Sequence, residues 1–215
     1  MKAFADANIY VLANLNQDFI WAKSNDGQWN TSGFDQFTRA IDLLSPYTNT
    51  LGFVISDPTL GNAKYWPFQK AAVRDAKQYM QNKRYRDIPV GFTIDGPDRL
   101  TGEELVLAEI DFMTCDQHRA DLLAFMPSYG GNNCQLDDNA EPLKYGMPGK
   151  IYTRTQIPTF IAQYGCSTDR FNEKLDKRNY TIVQSFYNKG GSEVLSGAIA
   201  YEYFQRENPD YGKSK

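Results

Sequence analysis

A chain of 215 residues is enough for one domain with a real core, and the whole of it, residues 1–215, reads as one unit. With 41% hydrophobic and 23% charged residues it is globular, and a net charge of -3 argues against nucleic acid or an anionic membrane as the main partner. No run of about 18 apolar residues is present, which excludes a helical membrane span, and MKAFADANIY lacks the long apolar stretch of a secretion signal.

Short apolar runs alternate with helical patterns along the chain. Residues 9–15 read as a strand. Residues 34–44 carry apolar side chains at 34, 37, 41 and 44, which is helical spacing, and 51–55 form the next strand. Residues 68–80 are helical, with Ala71, Ala72, Val73, Ala76 and Met80 on one side, and 89–94 are a strand. Thr101 and Glu104 make an S/T-x-x-E capping box, which predicts a helix from there to about residue 112. A strand at 120–126 is followed by a long polar loop. A strand at 158–162, a helix at 181–187 and a strand at 197–204 close the series. Strand and helix in repeated alternation mean parallel strands with crossover helices. Six such strands fit a doubly wound sheet or most of a (β/α)8 barrel. No G-x-G-x-x-G and no Walker motif occur, which favours the barrel and gives no reason to expect a cofactor.

The run PTFIAQYGC raises a chemical question. It reads as a buried strand with Gln163 at its C-terminal tip, and in a parallel barrel a polar residue there usually faces the active site. An amide donates and accepts hydrogen bonds, but it is neither a carboxylate nucleophile nor a general acid. The remaining polar candidates are weaker. Glu103, Glu104 and Glu109 fall on the predicted helix, where a solvated face is expected. Asp137, Asp138 and Glu141 lie in the polar loop without cation-ligand spacing. His118, the one histidine, is expected at the surface, and Cys115, Cys134 and Cys166 contain no C-x-x-C, so no metal site is expected. Asn30 and Asn179 begin sequons that accept N-glycans if the protein is secreted. Aromatic residues make up 14% of the chain, with 14 Tyr and 13 Phe; they fit either a Tyr-rich core or rings that line a sugar cleft.

The segments FADANIYVLANLN, YTNTLGF, KAAVRDAKQYMQNKRYRDIPVGF, QYGCS and SGAIAYEYFQRENPDYG together resemble the fungal β-1,3-glucanosyltransferases, glycoside hydrolase family 72. The likeness covers nearly the whole chain and is weakest at about 127–155. It implies a (β/α)8 TIM barrel of which about six strands are present, because the likeness starts inside the family domain, beyond its first two βα units. It implies an extracellular setting at the cell surface or wall, in a family usually held by a GPI anchor. It also implies β-1,3-glucan as the partner. The family's reaction is retaining transglycosylation, which needs an acid/base and a nucleophile carboxyl about 5 Å apart.

Both catalytic positions depart from the family pattern. SDPT, residues 56–59, stands where the family has GNEV, so Pro58 replaces the acid/base Glu and Asp57 the preceding Asn. QYGC stands where the family has EYGC, so Gln163 replaces the nucleophile. The resemblance therefore implies a pseudoenzyme, with possible glucan binding left. Asp57 is a weak rescue candidate, being shorter and without a nucleophile partner. The alternatives are a non-functional fragment or structural wall protein, and an active transglycosylase that uses other carboxylates. The resemblance further implies that Tyr201 and Tyr211 stack on glucose rings, that Cys134 and Cys166 form a disulfide, and that Cys115 is left free. Alternation puts Tyr201 and Tyr203 on one face of the last strand, and packing in the barrel core is as good an account of Tyr201.

Overall fold

The periodicities of the sequence fold as parallel strands with helices between them. The computed structural model describes residues 1–15, 29, 31–55, 62–97, 102–126, 146–164, 166–167, 178–180 and 183–200. In chain order the elements are α1 (Lys2–Asp6), β1 (Val11–Leu15), α2 (Thr31–Leu44), β2 (Thr50–Ile55), a 3-10 turn (Ala63–Tyr65), α3 (Trp66–Lys83), β3 (Val90–Asp95), α4 (Glu103–Thr114) and β4 (Leu123–Met126). Then follow α5 (Met147–Thr155), β5 (Thr159–Tyr164), β6 (Cys166–Ser167), β7 (Arg178–Asn179), α6 (Val183–Tyr187), α7 (Lys189–Ser192) and β8 (Gly197–Ala200).

Six strands form one parallel sheet in the order β1-β2-β3-β4-β5-β8, so each crossover places the next strand beside the last. Sequential order without reversal gives a curled half-barrel and excludes the doubly wound alternative. The sheet has two edges, β1 and β8. Exposed apolar side chains gather near the first of them, Ile9, Tyr10 and Leu51, and Ile199 is exposed on the second. A short antiparallel ribbon, β6 with β7, sets Cys166 opposite Asn179.

Period-2 alternation sorts the sheet residues into two layers. Phe53, Ile55, Val90, Phe92, Ile94, Leu123, Phe125 and Ile161 belong to the main core with the inward faces of the helices. Val54, Leu122 and Ala124, with Leu12, Phe160 and Ala162 against them, form a second, smaller cluster on the other face, inside the curl. Gly91 is required there: a Cβ on it would lie 2.4 Å from the Leu122 carbonyl oxygen.

Several expectations are corrected. Thr101 is not the N-cap of α4. Gly102 is, in an extended conformation with no side-chain cap. Glu103 and Glu104 instead occupy the first turn, where a carboxylate offsets the N-terminal partial charge, and Glu103 pairs with Lys150 at 2.7 Å. Glu109 is not on a solvated face but fully buried, because it lies on the same helical stripe as Val106, Ile110 and Met113. Part of the expected polar loop is helical: α5 starts from Gly146 with Pro148 in its first turn and buries Ile151. The strand expected from residue 120 begins at Leu123, since Ala120 is tied back to Met113 and the Asp121 carboxylate accepts from the Val90 N–H.

Candidate active-site cleft

In a parallel sheet with helices outside, side chains at the C-terminal strand ends on the inner face border the functional cleft. Phe92 and Ile94 of β3 pack in the helix-side core, so Thr93 and Asp95 belong to the inner face. Asp95 is half-buried at the tip of β3. It stands in register with Met126, also half-buried, at the tip of β4. Asn14, in register with Val54, is the inner-face polar residue near the tip of β1.

Gln163 is the penultimate residue of β5, at the C-terminal end of its strand. The pairing of β5 with β8 shifts register between Ile161 and Tyr164, so the irregularity spans Ala162 and Gln163. The next ring, Tyr164, is fixed edge-on against Phe186 at 5.3 Å and Tyr180 at 6.0 Å. Asp57, Pro58, Asn30, Cys134, Tyr201, Tyr203 and Tyr211, with Asp137, Asp138 and Glu141, lie outside the described residues. In sequence, residues 57–58 come after β2 and Gln163 belongs to β5, and in the sheet β3 and β4 separate these two strands.

Away from the strand tips, Lys70 organises the far end of α4. Its Nζ donates to Phe112 O at 2.7 Å, Cys115 O at 2.9 Å and Asp116 Oδ2 at 2.9 Å, and lies 3.0 Å from Cys115 Sγ. Burial works to lower the pKa of this ammonium, but the hydrogen bonds and charge of Cys115 and Asp116 outweigh it and hold the pKa above its ordinary value. The partner carboxylate of Asp116 is held below its usual range by the Lys70 bond first and the His118 N–H second. Cys115 is an exposed free thiol and His118 is exposed. A cavity of about 250 Å³ lined by Lys77, Met80, Gln81, Tyr85, Arg86 and Asp87 sits where α3 leads into β3, at the opposite end of the sheet from the strand tips. Among the described residues no cluster of His, Cys, Asp and Glu is built to hold a metal, and no helix is long and apolar enough to cross a membrane.

Sequence reasoning passed over Asp95. The signal was present, since TID ends a strand with a carboxylate two positions after an inner-face Thr, the same pattern that drew attention to Gln163.

A sheet of parallel strands in sequence order, helices on one side and polar residues at the C-terminal tips defines the class as a (β/α)-barrel protein, present here as an open part of the barrel. Within that class the chain belongs to the glucanosyltransferase family, glycoside hydrolase family 72, whose profile matches residues 1–215. It is 30% identical over 217 residues to the 1,3-beta-glucanosyltransferase gas1 of Schizosaccharomyces pombe, covering 99% of this chain and 37% of that protein. It is 31% identical over 225 residues to the 1,3-beta-glucanosyltransferase GAS2 of Saccharomyces cerevisiae, covering 100% of this chain and 36% of that one. Its fold matches a glutamate-to-glutamine mutant of Saccharomyces cerevisiae Gas2, solved with laminaritetraose and laminaripentaose. The TM-score is 0.76 at 28% identity, over 96% of this chain and 44% of the other. The chain thus spans little more than a third of the length of these curated relatives.

Proposed function

We propose that this chain is a β-1,3-glucan-binding member of its family that lacks transglycosylase and hydrolase activity. The observation that carries the reading is Gln163 at a strand tip of a family barrel where the pattern has a nucleophilic Glu. A glutamine keeps the shape and hydrogen bonding of glutamate but forms no glycosyl ester. Pro58, at the acid/base position, has no proton to give. The two groups act as a unit, and loss of either removes several orders of magnitude in rate. Asp57 alone has no nucleophile to work with, since the family position for it holds Gln163.

Glucan binding is supported by the laminari-oligosaccharides held in the related Gas2 structure. In this reading Tyr201 and Tyr211 supply flat rings for the sugar, Cys134 and Cys166 form a disulfide, and Asn30 and Asn179 are the glycan acceptors. The setting is extracellular, at the cell surface or wall, and binding the sugar needs no cofactor and no metal. Calorimetric titration with laminaripentaose tests the binding half. Saturable heat with displacement by laminaritetraose is expected, and absence of binding at millimolar sugar refutes it in favour of a fragment or a structural wall protein.

A further inference from the structure

Two strands separate the positions at which the family places its catalytic pair. Residues 57–58 follow β2, Gln163 ends β5, and β3 and β4 lie between them. A glucan strand that spans the C-terminal ends of β2 and β5 therefore crosses the tips of β3 and β4. Those tips present an uneven pair, the Asp95 carboxylate and the Met126 thioether, in register on the inner face. Adjacent strands are about 4.8 Å apart, close to the width of one pyranose ring. A β-linked glucose ring has equatorial hydroxyls at its rim and C–H bonds on its faces. A carboxylate accepts two adjacent hydroxyls at once, and a thioether packs against the C–H face.

We propose that Asp95, with Met126 beside it, is the glucosyl-binding floor of the cleft: Asp95 accepts hydroxyl hydrogen bonds from the ring that lies between the two lost catalytic positions. This rests on the glucan-binding reading above. The floor differs from the catalytic machinery in kind, because it needs no proton transfer and survives the loss of both glutamates. Asp95 is the ionisable residue that the described strand tips offer on this face; Asn14 and Thr93 are neutral.

The test uses the full chain and laminaripentaose, with affinities by calorimetry and folding checked by circular dichroism. Asp95→Ala is expected to weaken binding about tenfold or more, the worth of a charge-assisted hydrogen bond. Asp95→Asn, which keeps an acceptor oxygen and the shape but loses the charge, is expected to bind with an affinity between those of the unmodified chain and Asp95→Ala, and Asp87→Asn at the opposite end of β3 to keep all of it. A second measurement needs no variant: on adding laminaripentaose, the Asp95 and Gly96 amide resonances of the unmodified chain should shift. If the chain binds the sugar but Asp95→Ala binds equally well, or these amides do not move, the inference is overturned and the glucan reading stands. If the unmodified chain does not bind, both fall together.

Discussion

Replacing Lys70 with Met keeps the aliphatic stem and removes the ammonium. The side chain is 11% exposed, so its hydrogen bonds are largely shielded from water. Two lost bonds go to backbone carbonyls at the end of α4, Phe112 O and Cys115 O, where they serve as a C-terminal cap. A bond from a charged donor contributes about 1.5–3 kcal/mol. Cys115 is exposed and its carbonyl can take water in exchange, so one full contribution and part of another are lost, about 3 kcal/mol in all. The Asp116 carboxylate is half exposed and adds little. For a chain of this size that lowers the melting temperature by about 6–12 °C. Urea unfolding of Lys70→Met against the unmodified chain, with Asp116→Asn as control, measures it; the control, an exposed partner screened by water, should lose far less. The folded-state pKa of Lys70 is raised, so its stabilisation is complete below the unfolded value of about 10.4 and is lost as pH rises through the folded value. The gap between the two proteins should therefore stay constant from neutral to mildly alkaline pH and close only above that. A Lys70→Met chain within ~0.5 kcal/mol of the original would refute the view that this ammonium holds α4 in place.

Three further outcomes are expected, two from the packing and the third, a disulfide, from the family resemblance. Gly91→Ala puts a methyl 2.1 Å from Leu122 Cδ1 and 2.4 Å from a backbone oxygen that cannot swing aside; a loss of about 3 kcal/mol or more by denaturant titration is expected. For Asp42, burial pushes the carboxyl upward, but hydrogen bonds from Tyr85 and Tyr79 and the charge of Lys83 hold it below its ordinary value. Its stabilisation is present above the unfolded pKa of about 3.9 and lost as pH falls through the folded one, so Asp42→Asn should flatten the acid limb of a stability–pH curve. Peptide mapping without reductant should recover Cys134 linked to Cys166, and separate recovery of both as free thiols would exclude the bridge.

The parallel alternation was legible because each strand is an apolar run bounded by turn residues, and 50–55, 90–95 and 159–164 fall close to where the pattern set them. The helix stripe at 37, 41 and 44 was legible for the same reason. Glu109 was misjudged because its charge outweighed its position, although the spacing from Val106 to Met113 already placed it inside. α5 was hidden by a Pro and a Gly in its first turn, residues that signal a break unless they stand at the start of a helix. Of the site, the strand tip at Gln163 was readable from one polar residue after a buried run. Asp95 offered the same signal, a polar residue ending an apolar run, but it matched no family motif, and its face follows only from the burial of its neighbours Phe92 and Ile94.

The central claim is that the glucan chemistry proposed to be lost has gone from a chain that keeps the six-stranded part of the family barrel. The most direct measurement incubates the chain with reduced laminari-oligosaccharides and follows chain length by mass spectrometry. The account predicts an unchanged distribution for the unmodified chain and for Gln163→Glu alone, since no acid protonates the leaving oxygen. Pro58→Glu with Gln163→Glu restores both carboxyl positions and is the variant expected to regain activity. Longer oligosaccharides from the unmodified chain would contradict the account and make Asp57 the first residue to replace.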